Sequence, residues 1–224
     1  MIIQQSGFHD ISEISEEQII IWEWVEVVFF DKNISVQEII LEKDAKLQYF
    51  GYFWEENIFN KHFITRWEWS RASVNCFLLS QANVKITSKV FGEVAASHSK
   101  IDTDIVALAK NEGFIDIDGI IQINHWVEKV EWYLDETNIF LWEKGTVRWF
   151  PTLLVRSNDV QAGHGCNIEK ISDEKLFYLR SRWVEKQNAL TMMVWAYVES
   201  IFWDLEKVNK EFHDTLVSQI INDI

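Results

Sequence analysis

The chain has little glycine, proline or cysteine, and less basic than acidic charge. Among 224 residues there are 8 Gly, 1 Pro and 2 Cys. Ordinary glycine usage is roughly 7%, about twice what is found here. Two cysteines, Cys76 and Cys166, make no disulfide framework, and there is no CxxC pair. Lys plus Arg number 21 against 35 Asp plus Glu, a net charge of −14. Binding phosphate requires a basic footprint, so neither nucleic acid nor an anionic membrane surface is an expected partner. The longest apolar stretch, Ile19 to Phe30, is interrupted by Glu23 and Glu26 and is too short to span a bilayer. Met1 to Gln18 has neither the basic nor the apolar region of a secretion signal. A cytoplasmic, reducing location is the expectation.

What is present is a globular balance, with 48% hydrophobic and 25% charged residues and 12 Trp. From Ile19 to about Val160, short runs rich in Val, Ile and Phe alternate with brief polar stretches, the pattern of successive strands. Such runs are Val25 to Phe30, Lys46 to Phe53, Ser73 to Leu79, Val84 to Val90, Gly119 to Ile123 and Thr146 to Val155. Several begin with a small residue followed by apolar residues two and four places on, as in Ala45, Leu47 and Tyr49, or Ala82, Val84 and Ile86. The copies are unevenly spaced, so no strict repeat is established. They suit a wound β-structure in which alternate residues fill one interior. Pro151 lies inside an apolar run and is expected at a strand start or sheet edge, because it donates no ladder hydrogen bond.

After Ile171 the period changes. Ser172 is a suitable N-cap, with Asp173 and Glu174 in the first turn to suit the helix dipole. Leu190, Met193, Val194, Tyr197, Val198, Ile201, Phe202 and Leu205 recur at helical steps, and Phe212, Leu216, Val217, Ile220 and Ile221 continue them. The division predicted is an N-terminal segment (1–18), a β-rich core (19–170) and a C-terminal helical region (171–224). No Gly/Ser linker separates the last two, so a shared core is expected.

The stretch from Pro151 to Trp183 supplies Pro151, Asn158, Asp159, Val160, His164, Gly165, Asp173, Glu174, Phe177, Tyr178, Leu179, Ser181 and Arg182 in that order. It resembles the C-terminal pattern of the SufB/SufD family, scaffold subunits of the SUF iron–sulfur cluster assembly system, and is closer to SufD in wording. The resemblance is fainter from Ser70 to Phe150. It implies a mainly β fold, a right-handed parallel β-helix core with a C-terminal α-helical region. It also implies a non-enzymatic scaffold that works with a SufC-like ABC-type ATPase, since no GxxxxGK[ST] loop is present here. The chain is about half as long as typical members, which suggests a simplified system. There a homodimer replaces the SufB–SufD pair and a transient iron–sulfur cluster forms at the interface.

Three residues are candidate ligands. His164 matches a family histidine near that interface, and neutral imidazole binds iron. Cys166 stands two places on, the same side of an extended segment, and would be a soft ligand of the right kind. The family usually has alanine there, and a small buried thiol is the simpler reading. Glu136 falls where SufB-type members carry an essential cysteine; carboxylates ligate iron, but a solvated turn glutamate is the simpler reading. Asp173, Glu174, Phe177, Tyr178, Arg180 and Arg182 are the candidate ATPase-docking residues; the aromatics could equally plug the end of the β-helix. A platform that docks the ATPase without ligating a cluster remains the alternative. A Cys166–His164 nucleophile and base pair is a weaker one, for want of an orienting third residue.

The tryptophans are out of place. Trp183 stands at the family's glycine after Ser-Arg, and Trp142 at a Gly or Ser closing a strand. Trp24, Trp126 and Trp132 fall at expected turns, where glycine reaches positive φ without steric cost. Some bacterial lineages read the UGA codon as glycine while a common alternative code reads it as tryptophan. Many of these positions are therefore expected to be glycine in the native protein.

Overall fold

The computed structural model describes residues 1–32, 35–54, 57–140, 145–171 and 173–224. The strands are β1 (Ile2–Ile3), β2 (Gly7–Asp10), β3 (Gln18–Ile21), β4 (Glu26–Asp31), β5 (Glu38–Leu41), β6 (Lys46–Phe53), β7 (Asn57–Thr65) and β8 (Arg71–Gln81). They continue as β9 (Lys85–Val94), β10 (Lys100–Lys110), β11 (Phe114–Ile123), β12 (Glu128–Phe140), β13 (Thr146–Val155) and β14 (Asp159–Lys170). The helices are α1 (Asp173–Ser181), α2 (Lys186–Val208) and α3 (Lys210–Asp223).

Odd-numbered strands form one sheet, β1 to β13 in sequence order, and even-numbered strands the other, β2 to β14. Every adjacent pair is parallel. A parallel pair requires a crossover, and here each crossover contains a strand of the opposite sheet. The result is a parallel β-helix. Its interior consists of in-register rows, such as Leu47, Ala72, Ile101 and Trp132, all buried. Residues 1–18 supply β1 and β2, which extend the two sheets beyond β3 and β4. Strands this short carry no legible alternation, which is why the sequence reading begins at Ile19.

The second core lies outside the β-helix. In β8 the first half alternates between buried and partly exposed residues, whereas Cys76 to Ser80 is buried without interruption. Both faces of that half are covered: one points into the coil, the other into α2 and α3. Phe30, Phe50, Phe77, Leu79, Val106 and Leu108 meet Leu190, Val194, Val198, Phe202, Leu216 and Ile220 there. The helical periodicity over 190–221 therefore packs on the β-helix, and the two regions share a core.

Pro151 lies in β13, the outermost strand of its sheet, where a missing N–H leaves no ladder bond unmade. Trp24 and Trp126 occupy turns. Trp132 does not: it lies within β12, its ring buried over Gly92, where a Cβ would come within 2.1 Å of the indole. Trp142 and Ser172, expected to close a strand and to cap a helix, lie outside the described residues.

Candidate functional site

The last coil of the β-helix has no strand beyond it among the described residues, so both sheets end in open edges, β13 and β14. Inward-facing side chains that would be buried one coil earlier are uncovered here. Val147 and Trp149 on β13, with Val160 and Ala162 on β14, pack only partly against the interior.

β12 sets the geometry beneath this end. Val130, Trp132, Leu134, Glu136 and Asn138 alternate inward and are all buried. Glu136 is therefore no solvated turn residue; it is a buried strand residue with 2% exposure. Neither carboxylate oxygen has a hydrogen-bond partner among the described residues. Burial pushes its carboxyl from 4.5 up to about 8, against a smaller lowering by the Asn138 amide. A lone buried carboxylate is costly, so the neutral acid is the favoured form.

Cys166 lies directly across from Glu136 in the β12–β14 register. The Asn138 amide donates to the Cys166 sulfur at 3.4 Å, and Asn138 Oδ1 is itself buried without a partner among the described residues. Cys166 is exposed, whereas Cys76 is buried. The reading of Cys166 as a small buried thiol is thus corrected: among the described residues no strand lies beyond β14 to cover it. Burial raises its thiol pKa, and the nearby Glu136 carboxyl adds to the rise.

His164 is also on β14, paired with Leu134. It belongs to a strand and not to a segment between the last strand and the first helix. The neighbouring glycines disguise that strand, since glycine has low strand preference. A Cβ at Gly165 would lie 2.3 Å from Asp135 Oδ1, the end of an exposed side chain that would have to swing aside. His164 makes an edge contact with Trp149, ring centroids 5.8 Å apart. The structure thus brings Glu136, Asn138 and Cys166 together and places His164 one step along the same open face. Among the described residues, no three His, Cys, Asp or Glu side chains of one chain converge as a metal site. Sequence reasoning missed Asn138, although the alternation from Val130 through Leu134 extends to it.

The interior row holding this pair runs down the coil as Cys166, Glu136, Ile105, Cys76, Gly51 and Asp31. At its far end the Asp31 carboxylate accepts from Lys61 Nζ at 2.7 Å and from the Tyr49 hydroxyl at 2.7 Å.

Asp173, Glu174, Phe177, Tyr178, Arg180 and Arg182 are all exposed, on or just after α1. Phe177 is 74% and Tyr178 58% exposed, so neither plugs the β-helix. The Arg182 guanidinium lies 5.3 Å from the Tyr178 ring centroid. On α2, the Tyr197 hydroxyl donates to Glu169 of β14, tying the helical region to the strand that bears Cys166. No helix is long and apolar enough to cross a membrane among the described residues.

Residues 31–197 match the family described as "SUF system FeS cluster assembly, SufBD core domain". The chain is 27% identical over 94 residues to the iron–sulfur cluster assembly protein SufD of Escherichia coli, covering 42% of this chain and 22% of that protein. It is 24% identical over 195 residues to an iron–sulfur cluster assembly SufBD family protein of Staphylococcus epidermidis, covering 74% of this chain and 42% of that one. A Staphylococcus aureus SufBD family protein matches to the same extent. The chain thus spans less than half the length of these relatives. With the family match covering well over half of it, this chain belongs to the SufBD core-domain family of the SUF iron–sulfur cluster assembly system.

Proposed function

We propose that this chain is a non-enzymatic scaffold on which an iron–sulfur cluster is assembled, at an interface formed by the open β13 and β14 ends of two copies. The observation that carries this is the buried, unpartnered Glu136 carboxyl beside the exposed Cys166 thiol. One chain offers a thiol, a carboxyl and the His164 imidazole on one open face, too few and too spread to enclose a cluster. A twofold axis at that face doubles the set. Iron binding there displaces the thiol proton, since the thiolate is the ligand. ATP hydrolysis belongs to a SufC-like ABC-type partner docked on residues 171–224, with Phe177, Tyr178 and the charged groups of α1 as its surface. The Tyr197–Glu169 bond gives that partner's motion a route to β14. Residues 19–170 are the scaffold proper, and a cytoplasmic setting suits its exposed thiol.

The test is anaerobic reconstitution with ferrous iron and sulfide, followed by visible absorption. Charge-transfer bands in the native protein, weakened strongly in Cys166→Ser and in His164→Ala, support ligation. Their absence from the native protein removes it. The second reading, a platform that docks the ATPase without a cluster, is favoured by the failure of the three side chains to converge within one chain. It predicts co-purification of the ATPase with no such bands.

A further inference from the structure

Four tryptophans sit in backbone conformations that their side chains do not favour. Trp24, Trp69, Trp126 and Trp183 have φ of 62°, 65°, 65° and 66°. This left-handed region crowds the Cβ of any L-residue and is entered freely by glycine. Asn, Asp and His are the side chains that tolerate it best.

Three of the four occupy one recurrent turn. Trp24, Asp44, Trp69, His98 and Trp126 each stand two residues before an even-numbered strand, β4, β6, β8, β10 and β12. All five have positive φ. Where the position is not tryptophan it is Asp or His, as the conformation asks. Burial does not compensate the tryptophans: Trp24 is 67% and Trp126 94% exposed. Trp69 only stacks on His98, at 4.2 Å.

The fourth is independent of the turns. Trp183 N donates to Arg180 O at 3.0 Å and Val184 N to Leu179 O at 3.3 Å. That pair of bonds is the Schellman closure of α1, and its left-handed residue is usually glycine. Trp183 fills that place with its side chain 96% exposed. Two unrelated devices, a coil turn and a helix C-cap, thus demand the same residue.

We infer that positions 24, 69, 126 and 183 are glycine in the natively produced protein, the codon behind them being read as glycine in its host. The inference does not extend to Trp132, which is buried in a strand. It also changes the surface: the indoles at 24, 69 and 126 vanish from the turns, while those of Trp22 and Trp67 stay exposed.

The test is peptide mass mapping of the protein isolated from its own host. Glycine at the four positions supports the inference, and tryptophan at all four overturns it. A second measurement needs no native source. The chain bearing Trp24→Gly, Trp69→Gly, Trp126→Gly and Trp183→Gly is compared by thermal unfolding with the sequence as it stands. Relief of left-handed strain raises the midpoint by roughly 2–4 °C per site, and an unchanged or lower midpoint counts against it.

Discussion

Glu136 and Cys166 face each other across the β12–β14 ladder, and Asn138 bonds to the sulfur between them. One partner is sealed from water and the other is exposed. Folding raises the Glu136 carboxyl from 4.5 to about 8. The folded state therefore holds a proton that the unfolded chain has released, and stability falls as pH rises. The stabilisation is complete below about pH 4.5 and is lost as pH passes through 8, a change on the order of a few kcal/mol. Urea unfolding at pH 5 and pH 9 measures it. Glu136→Gln, which cannot ionise, should flatten most of that slope; an unchanged slope would assign the pH dependence elsewhere.

The two cysteines should separate cleanly in reactivity. Cys76 is buried and its thiol is pushed up to about 12 by desolvation, so it holds almost no thiolate at neutral pH. Cys166 is exposed and is held back only by a modest rise from burial and Glu136. Brief iodoacetamide treatment of the folded protein, read by mass spectrometry, should modify Cys166 alone. Both should react in urea. Modification of Cys76 in the folded state would show that the coil opens.

The β-helix was legible wherever strands are long enough to alternate, as in Lys46 to Phe53, and helical where Leu190 to Leu205 recur in steps of three and four. It was illegible where one face is not enough to define a strand. β14 contains Gly163 and Gly165, so its pattern reads as a loop, although both lie in a strand paired with β12. Glu136 read as a turn residue because a carboxylate is seldom buried; only the alternation of its neighbours reveals the inward side. That His164, Cys166 and Glu136 share one end of the coil was foreseeable from the family resemblance. That they do not close on one ion in a single chain follows from register, which no local pattern encodes.

Deep in the coil, Lys61 and Asp31 are 1% and 0% exposed and 2.7 Å apart. Lys61 also donates to the Val36 carbonyl at 2.6 Å. Burial costs both charges heavily, and each offsets part of the other's cost. Lys61→Met should remove the cation from beside the buried Asp31 carboxylate and cost about 3–5 kcal/mol. Asp31→Asn in the Lys61→Met background should recover part of it. Denaturant midpoints of the two variants decide this, and a loss no greater for Lys61→Met than for an exposed lysine such as Lys46→Met would contradict it.

The open coil makes the last prediction. β13 exposes Phe150, Leu153, Leu154 and Val155, and Ile168 on β14 is 69% exposed. Unpaired strands with apolar side chains attract another edge, and β13 carries a single charged residue, Arg148. If two copies meet there, light scattering after gel filtration gives twice the chain mass of 26.6 kDa. Leu153→Lys with Ile168→Lys should return the mass to that of one chain while the far-ultraviolet spectrum stays unchanged, because both side chains already face solvent. Because the proposed cluster site needs the second copy, the same variant should lose the charge-transfer bands with Cys166 intact. A monomeric variant that still held a full cluster would move the site off the interface and onto the single chain.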